Sequence, residues 1–458
     1  MSKMFSKIIS SKVLFTTVLF LILRLARGLP KGGNSDDGTI PDEKWGYVTV
    51  RASAHMFWWL YGGQSNATPR TSLPLIIWLQ GGPGGSGTGF GNFKEIGPID
   101  DKLQKRNTSW VQVANLLFID NPVGTGFSYV DDMNALTTNI SQIAEDLLTL
   151  MKSFVAALPI FEKLPIYIFS ESYGGKMTAA FGARLHDAIA SGEIKCTLGG
   201  VALGDSWISP VDSVVTWGPY LYQYNLLDQK DLTSVMQVAA ETIKAVEAGE
   251  YLEATALWAR TEDVIDAVTD SVNVYNVLQH HAPSPMTLMK IKDDTPLGRL
   301  YGKHVQVYQL ESLSDFMNTY IRKKLGIIPQ NVIWGGQSSL VFKYQSREFM
   351  KPVTKEVSKL LSAGVTVVVF QGQLDMICDT AGAELWLKKL TWSKMPMYFN
   401  ANRKPIYLPG DTSKNTAAFL KQYQNLKMYY IMKAGHMVPA DAGDMALEMV
   451  KQVIHTQD

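Results

Sequence analysis

Short, nearly continuous apolar runs recur along the chain, rich in β-branched and aromatic residues, and several end at a Gly, Ser or Asp. Residues 47–52 and 55–61 predict a leading antiparallel pair. Residues 75–79, 116–120, 166–169, 200–203, 365–370 and 428–432 predict further strands. These runs do not alternate apolar with polar positions, so they fit central strands covered on both faces. Helical periodicity fills intervals between them, as over residues 140–158 and 176–190. Strand and helix in alternation predict an α/β fold around a mostly parallel, doubly wound sheet.

Between about residues 210 and 331 the strand pattern disappears. Residues 230–248 and 252–268 read as amphipathic helices, broken at Gly249-Glu250. A helical insertion between two strands follows, expected to sit over the carboxyl ends of the sheet, where open α/β sheets hold their ligands. The expected division is therefore a core first part over 29–210, a helical cap over 211–331 and a core second part over 332–458. No internal repeat or low-complexity tract interrupts it, and residues 29–43 read as a loose leading segment.

Residues 1–28 differ from all of this. Lys3, Lys7 and Lys12 precede an uncharged apolar run over 13–23, and Ala26-Arg27-Gly28 supplies small residues at cleavage spacing. That is the layout of a secretory signal peptide. A membrane anchor would need roughly 20 apolar residues. The expected destination is the secretory pathway, outside the cell or in the lysosomal lumen. Five of the 43 Lys/Arg and none of the 42 Asp/Glu lie in residues 1–28, leaving 38 basic against 42 acidic residues beyond. A slightly acidic remainder without a basic tract argues against a nucleic-acid partner. Secretion makes three sequons candidate glycosylation sites, at Asn66, Asn107 and Asn139. The two cysteines, Cys196 and Cys378, leave both a single disulfide and two buried thiols open.

The chemistry concentrates at strand ends. Residues 166–176, Ile-Tyr-Ile-Phe-Ser-Glu-Ser172-Tyr-Gly-Gly-Lys, read as strand, tight turn with a central serine, then helix. That is the arrangement of a nucleophile elbow, with Ser170 standing where the usual pattern has its first glycine. A serine that merely caps a helix is the plainer alternative. Chain order selects the partners, because in this architecture the serine precedes the acid and the acid precedes the histidine. Of the seven histidines only His436 and His455 follow a late strand, and His455 lies close to the end, where chains tend to fray. His436, on a loop directly after a strand, is the expected general base. Asp375, ending the run that begins at residue 365, is the expected acid, with Asp379 as its rival.

Residues 80–87 form a glycine-rich loop after an early strand. Gly82 to Gly87 fits Gly-x-Gly-x-x-Gly, but no apolar helix is read directly after it and no acid clearly sits about 20 residues on, so a dinucleotide site is not expected. The loop also lacks the Lys-Ser/Thr of a phosphate loop. It suits instead one arm of an oxyanion hole, with backbone donors expected at Gly82 and Tyr173.

Taken together, Gln80-Gly-Gly-Pro-Gly-Gly-Ser, Phe93-Lys-Glu95-Ile-Gly-Pro, Asp120-Asn-Pro-Val-Gly-Thr-Gly-Phe-Ser-Tyr, Glu171-Ser172-Tyr-Gly-Gly, Gly372-Gln-Leu-Asp375 and Ala434-Gly-His436-Met-Val-Pro resemble the serine carboxypeptidase family. The resemblance runs from about residue 45 to about residue 450. It implies an α/β-hydrolase fold with a helical insertion, no metal or other cofactor, and peptide or protein substrates with a free C-terminus. It further implies that Gln80, Gly81, Glu95 and Glu171 bind the substrate's terminal carboxylate. Carboxyl groups can face a carboxylate only if protons are shared, so acidic pH is expected to favour activity. Two departures stand out: Gln80 replaces the family's commoner asparagine, and Gly85 replaces a cysteine that many members carry. The same fold and triad also serve esterases and acyltransferases, and a catalytically silent binding homologue is a third reading. Oligomeric state is not legible.

Overall fold

The computed structural model describes residues 39–280 and 295–454. The expected signal peptide, His281 and His455 lie outside them. Eleven strands form one sheet: β1 (Glu43–Arg51), β2 (Ala54–Tyr61), β3 (Leu75–Leu79), β4 (Asn115–Ile119), β5 (Tyr129–Val130), β6 (Pro165–Glu171), β7 (Thr197–Gly204), β8 (Thr366–Gly372), β9 (Lys404–Tyr407), β10 (Thr416–Tyr423) and β11 (Leu426–Ile431). Their order is β1-β2-β4-β3-β6-β7-β8-β11-β10-β9, with β5 paired to β2. Neighbours from β4 to β11 run parallel, and the pairs at both margins are antiparallel.

The central strands are continuous apolar runs because each feeds two cores. In β3, Leu75, Ile77 and Leu79 join one buried cluster while Ile76 and Trp78 join the other. In β8, Val367 and Val369 face the first and Val368 and Phe370 the second. The first core is closed by α1 (Ile140–Ala157) and α2 (Tyr173–Ala190), through residues such as Leu147, Met177 and Phe181.

Between β7 and β8 every regular element among the described residues is helical. The long ones are α3 (Pro210–Gln223), α4 (Gln229–Glu247), α5 (Tyr251–Thr269) and α6 (Pro296–His304). Shorter helices continue past residue 331 to α7 (Thr354–Ser362), whose Val357 and Leu360 return to the first core. The second core is closed by α8 (Gly443–Ile454), through Met449, Val450 and Val453.

Two sequence expectations need correction. A helix does follow the glycine loop directly: Gly87–Ile96 is a wide π-helix, buried at every position but Lys94. Three of its ten residues are glycine, so the apolar periodicity that announces a helix is missing, although Phe90, Phe93 and Ile96 anchor it in the second core. Strands β9 and β10 escaped notice because they lie at the sheet margin, where most of their positions keep contact with solvent.

Candidate active site

Strand β6 ends at Glu171 and α2 begins at Tyr173, which leaves Ser172 alone on the turn. Its backbone is in the left-handed half of the map, with φ 61° and ψ −128°. A non-glycine residue there costs about 1–3 kcal/mol and persists only where its surroundings hold it. Here Ser172 N–H donates to Gly204 O at 3.0 Å, and its carbonyl accepts from Trp207 N at 2.9 Å. Ser170 fits the first-glycine position because its hydroxyl is turned away, donating to Ala202 O at 3.1 Å. Ser172 itself keeps partial contact with solvent.

Asp375 follows β8 and His436 follows β11, its parallel neighbour, so pairing of the two strands brings the two loops together. His436 Nδ1 donates to Asp375 Oδ2 at 2.9 Å, and both residues are completely buried. The loop is held by His436 N–H donating to Tyr275 O at 2.8 Å. His436 Nε2 is buried without a hydrogen-bond partner. Asp379, the rival acid, instead accepts from the Thr216 hydroxyl at 2.7 Å.

The glycine loop lies against the serine. A Cβ on Gly81 would stand 2.5 Å from Ser172 Cβ and 3.0 Å from its Oγ, so only glycine permits the approach. Gly82 follows with φ 110°. Tyr173 is the first residue of α2, where helix N–H groups lack intrahelical acceptors. The side chain of Gln80 donates through Nε2 to Glu171 Oε1 at 2.9 Å and accepts from Trp78 Nε1 at 2.6 Å. Glu95, from the π-helix, meets Glu171 and Gln80. All three are at most 1% exposed. Burial pushes the Glu95 carboxyl up to about 7, and burial reinforced by the neighbouring Glu95 charge holds Glu171 well above the ordinary carboxylate range. Both Glu95 oxygens and Glu171 Oε2 lack a hydrogen-bond donor of their own.

The family model for serine carboxypeptidases matches residues 36–456. The chain belongs to the serine carboxypeptidase family. It is 50% identical over 435 residues to the retinoid-inducible serine carboxypeptidase of Homo sapiens, covering 94% of this chain and 96% of that protein. Identity to the Arabidopsis thaliana serine carboxypeptidase-like 51 is 39% over 459 residues, covering 96% and 98%. Among solved structures, the prohormone-processing carboxypeptidase Kex1(Δ)p of Saccharomyces cerevisiae superposes with a TM-score of 0.76 over 92% of each chain, at 22% identity. That likeness identifies the α/β-hydrolase fold.

In this serine carboxypeptidase the segments between β7 and β8 contribute side chains to the cleft that the sequence did not reveal. A narrow cleft is lined by Gly82, Ser172 and Tyr173 together with Trp207, Trp258, Tyr275, His304 and Phe349. Tyr275 packs its ring on His436 at 4.9 Å. Its hydroxyl shares a hydrogen bond with His304 Nδ1 at 2.7 Å, and His304 Nε2 meets Glu262 at 2.8 Å. Tyr308, from the helical region between β7 and β8, reaches Ser172 and, at 3.5 Å, Glu171. No spacing rule in the sequence links these residues to Ser172.

Asp375, Cys378 and His436 place ligand atoms within 4.8 Å of one another. Burial holds the Cys378 thiol well above its ordinary range, however, and metals bind the thiolate. Cys196 and Cys378 are both free and buried. One precedes β7 and the other follows β8, its parallel neighbour, which separates them by about a strand length of roughly 20 Å, far beyond disulfide reach. Asn66 and Asn107 are exposed, while Asn139 is half-buried and caps α1 through its Oδ1. Among the described residues no helix is long and apolar enough to cross a membrane.

Proposed function

We propose that this chain removes the C-terminal residue from peptides and proteins by an acyl-enzyme mechanism, with Ser172 as nucleophile, His436 as general base and Asp375 as its orienting acid. The observation that carries the reading is the group formed by Gln80, Glu95 and Glu171 beside the serine. A triad alone serves any acyl transfer. Two buried carboxyls with unpaired oxygens are unfavourable as they stand, and the terminal carboxylate of a peptide would accept the protons they hold.

His436 Nε2, free of other partners, takes the Ser172 proton as Oγ attacks the scissile carbonyl. Backbone N–H groups of Gly82 and Tyr173 receive the developing oxyanion. Asp375 stabilises the imidazolium, which then protonates the departing amine, and water repeats the sequence to release the acyl group. Gln80 Nε2, the Gly81 backbone and protonated Glu95 and Glu171 hold the substrate carboxylate. Residues 211–331 serve as the cap that closes the cleft. The pocket chemistry fits an acidic compartment, which agrees with the signal-peptide reading of residues 1–28 and a secreted or lysosomal location. The sequons at Asn66, Asn107 and Asn139 fit the same route.

The test incubates purified protein and Ser172→Ala with a blocked dipeptide and with its C-terminal amide, from about pH 4 to about pH 8. Release of the last amino acid by wild type alone, strongest in acid and weak on the amide, supports the reading. Ester hydrolysis without peptide release would transfer the triad to another substrate class.

A further inference from the structure

Asp205, the residue after β7, is completely buried and has a left-handed φ of 38°. Its N–H donates to Phe370 O at 2.9 Å, and its Oδ1 accepts from Gly372 N at 2.8 Å, which ties the end of β7 to the end of β8. Its side chain also interacts with that of Asp375, and Asp205 Oδ2 and Asp375 Oδ1 are both buried without a hydrogen-bond partner.

Two carboxylates in contact out of water repel too strongly for both to be ionised. Among the described residues, the charges that act most with that of Asp205 belong to Asp375, Asp441, Glu171 and Cys378, all of them acids. The adjacent imidazole of His436 is bonded to the other oxygen of Asp375. A proton therefore lies between the two carboxyls. Asp375 Oδ2 accepts from His436, so Asp375 is the partner that stays ionised and Asp205 is the one that donates.

We propose that Asp205 is a positioning residue of the triad, a neutral carboxylic acid that donates a hydrogen bond to Asp375 Oδ1. Burial and the Asp375 charge both hold the Asp205 carboxyl well above the ordinary carboxylate range, in keeping with a bound proton. Two effects follow. The bond locks the Asp375 carboxylate so that Oδ2 stays aimed at His436 Nδ1. It also drains charge from Asp375, so the imidazolium that His436 forms on taking the serine proton faces a weaker anion. The proposal rests on the assignment of Ser172, His436 and Asp375 above.

The test measures the rate of fluorophosphonate labelling against pH for the full chain and for Asp205→Asn, Asp205→Ala and Asp205→Gly. Labelling reads the serine and its base without using the carboxylate pocket. The asparagine amide still donates, so its acid limb should coincide with that of wild type. Alanine and glycine donate nothing, so their limbs should move up by about one pH unit, with limiting rates lower by about tenfold. Glycine also suits the left-handed backbone, so it decides the matter where the alanine variant fails to fold. Alanine and glycine limbs that coincide with wild type would overturn the proposal, as would an asparagine limb displaced as far as theirs. A wild-type protein that does not label at all would instead remove the assignment of Ser172, and the proposal with it.

Discussion

At the scale of single residues, the site depends on contacts with no room to spare. A Cβ on Gly81 would have to share space with the Ser172 side chain, so Gly81→Ala should lower kcat/KM at least about 100-fold while leaving the melting temperature within a few degrees. Stopped assays and a thermal melt check both halves. Glu171 offers a different separation. Its truncation in Glu171→Ala should lower kcat/KM for free-acid dipeptides about 100-fold, the loss expected of a charge-assisted hydrogen bond, while a matched ester changes little. Equal losses on both substrates would remove Glu171 from carboxylate binding. At this scale the motifs were largely legible: Ser172, Asp375 and His436 were found from strand ends and chain order, and the structure joins Asp375 to His436. Asp205, Tyr275, His304 and Tyr308 were not, because a lone Asp, His or Tyr has no pattern that announces its neighbour in space.

Among elements, the parallel pairing β6–β7–β8–β11 is what gathers Ser172, Asp205, Asp375 and His436 at one edge of the sheet. Helix α2 holds the Ser172 turn, and a buried lysine holds the helix. Lys176 Nζ donates to the carbonyls of Glu348 at 2.7 Å and Phe349 at 3.1 Å, and to that of Lys351, and Phe349 lines the cleft. Lys176→Ala leaves those carbonyls unsatisfied and should cost about 3–5 kcal/mol, read as a lower midpoint in denaturant. A loss under about 1 kcal/mol would mean that water replaces the ammonium group. Long helices α1, α2, α4 and α5 were readable to within a few residues, because each carries enough turns to display its period. The π-helix and strands β9 and β10 were not, for want of a continuous apolar face.

For the molecule as a whole, the buried acids set the direction of its pH dependence. Glu95 is raised from 4.5 to about 7, and Glu171, Asp205 and Asp379 are raised too, in each case first by burial. An acid whose folded pKa lies above its unfolded value adds stability that is fully present below the unfolded pKa and is lost as pH rises through the folded one. For Glu95 that window runs from 4.5 to about 7, and the shift corresponds to about 3 kcal/mol. The melting temperature should therefore fall between about pH 5 and about pH 7, and Glu95→Gln should flatten the decline; a melting temperature that rises over that range would contradict the assignment. The amino-acid sequence by itself determined the α/β class, the order of the central strands and long helices, and the Ser172 turn with the acid and the histidine that follow it. Those features are local: they live in apolar periodicity, in glycine placement and in the ends of strands. Only the tertiary structure decided which residues between β7 and β8 line the cleft beside the serine, that Glu95 and Glu171 meet in one buried group, and that Asp205 lies beside Asp375. These are contacts between segments tens to hundreds of residues apart, made by packing and strand pairing, and no period in the chain encodes them.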